Sequence, residues 1–251
     1  NGIGIDWGNE GSFRQDVELG NNGNAFGSYG HVIKNNIIRD NGAAGTAAYM
    51  ANSFEFTNNI VERNNNLHFS GKQRWESAGV KVHNPKNSKI SNNIIRDNYC
   101  HGIWSDQGAG KKSIFKNNLI LNNEKNGIEF EIGQRTTARV INNIFDGNDN
   151  GIRFSASGGA LIAHNLFIKS RTCDIQTHVY KREKDKWDSH NVEIYYNLFF
   201  HSPQFLKLSS PTNFASRYLD YNVYATNELN KKFHMKFNWK NKINLKFESW
   251  V

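Results

Sequence analysis

"KNNIIRDN", residues 34 to 41, returns almost letter for letter as "SNNIIRDN" at residues 91 to 98. Around these copies stand "TNNIVERN" (57–64), "KNNLILNN" (116–123), "INNIFDGN" (141–148), "HNLFIKS" (164–170), "YNLFFHS" (196–202) and "YNVYATN" (221–227). The recurring Asn36, Asn59, Asn93, Asn118, Asn143, Asn165, Asn197 and Asn222 are separated by steps of 23, 34, 25, 25, 22, 32 and 25 residues. A recurring period of this kind marks a solenoid, in which each repeat buries its apolar face only by stacking on its neighbours.

The length of the period selects the kind of solenoid. It is too short for helical-pair repeats of about 34 residues, and the Leu-x-x-Leu-x-Leu signature of a leucine-rich repeat is missing. Short β-branched runs with alternating apolar residues, broken by Asn and Gly, predict three short strands per turn. The expectation is an all-β chain, a right-handed parallel β-helix of the pectate-lyase-like kind, with about 22–25 residues per rung. The Asn column reads as structural, its amides bonded from rung to rung at bends that tolerate left-handed φ. A single domain is expected over 1–251, a coil cut at both ends, with the basic segment 225–251 packing on the coil or leaving it.

A second alignment assigns faces. Setting the glycines of "NGIGID", "AAGTAAY", "SAGVKVH", "HGIWSD", "NGIEFE" and "NGIRFS" in one column brings Ile3, Thr46, Val80, Ile103, Ile128 and Ile152 together. Ile5, Ala48, Val82, Ser105, Phe130 and Phe154 follow two residues later. With a side-chain period of two these columns face inward, so the columns between them face outward. One outward column reads Gly4, Ala47, Lys81, Trp104, Glu129, Arg153, and the next reads Asp6, Tyr49, His83, Asp106, Glu131, Ser155.

Chemistry is concentrated in those outward columns. Neighbouring parallel strands lie about 4.8 Å apart, so Asp106 and Glu131 are expected to present carboxylates roughly 5 Å apart. That spacing suits a retaining glycosidase, whereas Glu129, about 8 Å from Asp106 by the same spacing, suits an inverting one. Glu129 also has Arg153 as its same-column neighbour, a pairing expected to hold it ionised. Trp104 offers a flat ring for a sugar face, and Lys81, His83 and Arg153 complete the cluster. The 34-residue step carries the insertion "GKQRWESAG" (71–79), which adds Arg74 and Trp75 as substrate-binding candidates, while the 32-residue step carries "KREKDKWDSH" (181–190). Insertions longer than the repeat demands are commonly functional.

Composition removes other classes. No apolar run approaches the roughly 18 residues that span a bilayer, so no membrane partner is expected. Half of the net charge of +8 sits in residues 225–251, with six Lys against Glu228 and Glu248, and no nucleic-acid motif accompanies it. Cys100 and Cys173 have no metal-ligand spacing and read as packed free thiols. "DGNDNG" (146–151) reads as an Asn-Gly turn rather than a calcium loop, so neither metal nor cofactor is expected.

Residues 102–106, "GIWSD", followed one rung later by "FE" at 130–131, resemble the β-helix β-xylosidase family of glycoside hydrolases. The resemblance implies Asp106 as nucleophile, Glu131 as acid/base, a carbohydrate partner and a secreted or periplasmic location. Gln107 and the residues after Glu131 depart from that family, which leaves the sugar open between plant and algal polysaccharides. Two further readings stand beside the hydrolase. One is a lyase or epimerase acting on a uronic-acid glycan through Lys81, His83, Arg74, Arg153 and Tyr49. The other is a non-catalytic glycan-binding coil. The oligomeric state is not encoded in any of these patterns.

Overall fold

The structure, a computed structural model, describes residues 3–5, 29–49, 52–68, 76–107, 110–133, 137–178, 180–182, 185–187, 191–208 and 219–226. These residues form a parallel β-helix with three sheets of eight strands each, and no helix occurs among them. The first sheet carries Ile3–Ile5, Thr46–Tyr49, Ala78–His83, His101–Asp106, Ile128–Gly133, Asn150–Ser157, Cys173–His178 and Leu206–Lys207. In it Ile103 is paired with Val80 on one side and Ile128 on the other, the register expected from the glycine alignment. The second and third sheets are built of short strands, most of three residues, such as Ile114–Lys116 and Leu119–Leu121.

Period-two patterning fills the coil. Ile103, Ile128, Phe130, Ile152 and Phe154 are fully buried in one core with Phe56, Phe115, Ile120 and Val140. Towards the C-terminal rungs the third sheet changes from aliphatic to aromatic, and Phe145, Phe167, Phe199 and Tyr224 stack face to face at 4.8, 5.0 and 5.0 Å. Cys100 and Cys173 are both buried and are not joined to each other in a disulfide.

The Asn column is a continuous ladder. Asn118 shows how each amide is used: its Oδ1 accepts from the backbone N–H and the Nδ2 of Asn93, at 3.0 and 2.9 Å. Its Nδ2 donates to the Ile90 carbonyl at 3.1 Å and to Asn143 Oδ1 at 2.9 Å. All four bonding positions are satisfied inside the coil, which is why a buried amide is tolerated at every rung. The left-handed φ does not fall on these residues as expected. It falls one position earlier, on Asn35, Asn58, Asn92, Asn117, Asn142, His164, Tyr196 and Tyr221. The ladder Asn must keep an extended backbone to point inward, so its predecessor makes the bend. A second ladder, Asn41–Asn64–Asn98–Asn123–Asn148, runs along another corner with amide bonds of 2.7–2.9 Å. Its residues are the last Asn of each repeat, a signal that the sequence carries and that an alignment on the first column alone passes over.

The 32-residue step contains a hairpin in which Tyr180–Arg182 pairs antiparallel with Asp185–Trp187. Most of the insertion in the 34-residue step, with Arg74 and Trp75, lies outside the described residues, as do Asp6 and 227–251. The division of the chain into coil and basic segment therefore remains an expectation.

Candidate functional site

The site lies on the outer face of the first sheet. Asp106 is in register with His83 and with Glu131, and Trp104 with Lys81 and Glu129. Both outward columns thus run as the sequence implies, and Asp106 and Glu131 sit on adjacent strands of one face. A left-handed residue, Asn84, Gln107, Ile132 or Ala156, stands directly behind His83, Asp106, Glu131 and Ser155, just past the strand in the first two and near its end in the last two. Ile132, β-branched at φ 51°, is strained there, a cost commonly met at functional sites.

Outward does not mean exposed at this position. Lys81, His83, Asp106 and Glu129 retain only 1–5% of their accessibility, against the solvated ladder that an outward face suggests. The Lys81 ammonium is the hub. It donates to Asp106 Oδ2 at 2.9 Å, lies 3.3 Å from Glu76 Oε2 and sits 3.1 Å from the centre of the Trp104 ring. A buried ammonium is costly unless it is paired, and here two carboxylates and a ring face surround it. One face of Trp104 is therefore occupied by Lys81 rather than open to a sugar.

Glu76, at the edge of the insertion and half exposed, belongs to the site although the repeat alignment does not point to it. Its Oε2 accepts from His83 Nε2 at 2.8 Å, and His83 in turn stacks on Tyr49 at 4.1 Å. Partial burial works against the ionised carboxyl, yet the His83 hydrogen bond and the Lys81 charge hold Glu76 down to about 2. One donor atom each from Glu76, His83 and Asp106 falls within 4.8 Å of the others, a spacing compatible with a metal ion. The Lys81 ammonium, bonded to Asp106 and close to Glu76, already supplies a positive charge to these acids.

Glu129 corrects another expectation. Burial pushes its carboxyl up to about 7, outweighing the charge of Arg153 and the hydrogen bond from Ser155, and Glu131 raises it further. Arg153 does not hold it fully ionised. Ser155 Oγ and Asn126 Nδ2 both donate to it. Asn126 also accepts from Asn150 Nδ2 at 2.7 Å, and its own Nδ2 is 3.3 Å from His101 Nδ1. His101 lies 5.0 Å from the Trp104 ring, which joins the two halves of the site.

Two buried polar atoms of the site stand without a partner, as do others elsewhere in the coil such as Asn41 Oδ1 and Asp174 Oδ2. Among the described residues Asp106 Oδ1 and Trp104 Nε1 are shielded from solvent and have no hydrogen-bond partner. Leaving such groups unmade costs about 1–3 kcal/mol each, so they are kept where a ligand or water completes them.

Residues 1–167 match the family model described as a right-handed β-helix region. The chain belongs to the right-handed β-helix family. No curated protein sequence matches this β-helix. Among solved structures it is similar to a point mutant of the periplasmic alginate epimerase AlgG, at 18% identity and a TM-score of 0.63, over 78% of this chain and 46% of that one. A double mutant of AlgG aligns at 17% identity and a TM-score of 0.60, over 79% and 46%. At these identities the likeness establishes the shared coil, and the β-helix spans less than half the length of those relatives.

Proposed function

We propose that the chain is a glycan-processing enzyme in which Asp106 and Glu131 cleave a glycosidic bond with retention of configuration. The observation that carries this reading is the pairing of Asp106 with Glu131 on adjacent parallel strands. Strands about 4.8 Å apart bring two such side chains near the roughly 5–5.5 Å that retaining pairs use. The resemblance of residues 102–106 and 130–131 to the β-helix β-xylosidases gives the same two residues the same roles.

In this mechanism Asp106 is the nucleophile at the anomeric carbon, its carboxylate oriented by Lys81 through Oδ2. Glu131 gives its proton to the departing glycosidic oxygen. It then takes a proton from the water whose oxygen displaces Asp106, restoring both carboxyl groups. Glu129, with its carboxyl near 7, is a proton reserve beside Glu131. The remaining face of Trp104, together with His83, Arg153, and Arg74 and Trp75 of the insertion, contacts the sugars. A secreted or periplasmic setting accords with a polysaccharide substrate.

A second reading is epimerisation or elimination on a uronic acid. It draws support from the Lys81–His83–Glu76 cluster and from AlgG, which acts on alginate. It is weakened by Lys81 itself, whose ammonium is taken up by Asp106 and Glu76 and is poorly placed to neutralise a uronate. Digestion of neutral and uronate glycans, followed by anomeric-proton NMR, separates the readings. Retained configuration in the first product is expected. Inversion would transfer the acid role to Glu129. An unsaturated or epimerised uronate would establish the second reading instead. Asp106→Asn should lower turnover by several orders of magnitude with the fold intact. If every glycan is bound and none altered, with Asp106→Asn binding equally well, the coil is a binding module.

A further inference from the structure

Charge is sorted along the site face. In the first outward column Glu129 is followed rung by rung by Arg153, Gln176 and Lys207, and in the second Glu131 is followed by Ser155 and His178. The acids thus occupy the rungs of Asp106 and Glu131, and beyond them the cations Arg153 and Lys207 flank the rung of Gln176 and His178. No acid follows Glu131 in either column among the described residues. Arg153, His178 and Lys207 are each part-buried, so they are partly desolvated and still reachable.

The three groups act on one spot. His178 is held below the usual imidazole range, first by burial and then by the positive charges of Arg153 and Lys207. Two cations whose charges both reach the imidazole between them make a positive stretch of the sheet face of the kind that takes an oxyanion. Its position is set by the coil: His178 is two rungs from Glu131, roughly 10 Å at the strand spacing. A glycan strand lying along the helix axis with one linkage at the acid pair would carry a neighbouring sugar across this patch.

We propose that Arg153, His178 and Lys207 form a subsite for an anionic substituent, a carboxylate or a sulfate ester, on a sugar beside the one processed. The inference rests on the reading of Asp106 and Glu131 as the glycan site and narrows its substrate class to acidic glycans. It differs from the uronate-epimerase reading because the charged group recognised is not on the reacting sugar.

The test is binding, measured by calorimetry with the Asp106→Asn protein so that turnover does not intervene. The probes are a mannuronate oligosaccharide, a sulfated galactan oligosaccharide and a neutral xylo-oligosaccharide of matched length. At least one acidic probe is expected to bind tenfold or more tightly than the neutral one. The double variant Arg153→Gln/Lys207→Gln should abolish that preference without loss of melting temperature. Lys34→Gln/Lys116→Gln, which removes equal charge from the second sheet, should retain it. Whichever acidic probe responds identifies carboxylate or sulfate as the group bound. Equal affinity for all three probes overturns the proposal, as does an equal loss in the second-sheet variant, which would mean bulk charge attraction. Wild-type protein that cleaves nothing while the preference holds would remove the cleavage mechanism and leave the subsite standing.

Discussion

Asp174 offers a sharp test of the physics of this coil. It occupies the position held by Gly79, Gly102, Gly127 and Gly151 on earlier rungs, and it is fully buried. Burial raises its carboxyl from 3.8 to about 7 even though Ser170 and Ser202 pull it down, and Ser202 Oγ donates to it at 2.7 Å. Between those two values the folded chain retains a proton that the unfolded chain has lost. Stability therefore falls as pH rises through this window, is undiminished below 3.8, and levels off above about 7. At 1.36 kcal/mol per unit over about three units, the loss is about 4 kcal/mol. Asp174→Asn retains the shape and the acceptor for Ser202 but takes no charge. Its advantage over the wild type should be small at pH 4 and grow to about 4 kcal/mol by pH 8. Urea midpoints for both proteins at half-unit intervals of pH measure this. A difference that is flat between pH 4 and pH 8 would refute the reasoning. Glu129 moves in the same direction, so the Asp174→Asn protein should retain a second, similar slope that Glu129→Gln removes.

Lys81→Met leaves Asp106 buried beside a vacant partner and should destabilise the coil by about 3–5 kcal/mol, with part of that recovered on adding Asp106→Asn; thermal unfolding of the two variants checks it. Asn118→Ala breaks four ladder bonds and strands donors on Asn93, so a loss of about 3–4 kcal/mol is expected in urea unfolding, against about 1–2 for the exposed Asn117→Ala, which chiefly puts a Cβ at a left-handed φ. Gly127→Ala would place a Cβ 2.6 Å from the Gly151 carbonyl oxygen and 2.8 Å from Phe145, and should lower the melting temperature by several degrees. A Gly127→Ala protein as stable as wild type would mean that adjacent rungs are looser than these distances imply.

The coil is legible in the amino-acid sequence because its two determinants are local and periodic. A side chain alternates faces every residue along a strand, and an Asn recurring at one bend can satisfy its amide only against its copies above and below. Those constraints suffice to place Ile103 against Ile128 and Asp106 against Glu131, and both pairings hold. They cannot say how the outer face is covered, since that depends on insertions the repeat does not determine. Glu76 reaches Lys81 and His83 from such an insertion, and the outward Lys81 becomes a buried cation rather than a solvated one. The state of Glu129 is out of the sequence's reach for the same reason. Its neighbour Arg153 is visible in the alignment, but the desolvation that outweighs that neighbour depends on how much water every packed element excludes together. Sequence alone thus determined which residues share a face, through backbone periodicity, while only the tertiary structure decided their charge environment, because electrostatics responds to burial rather than to register.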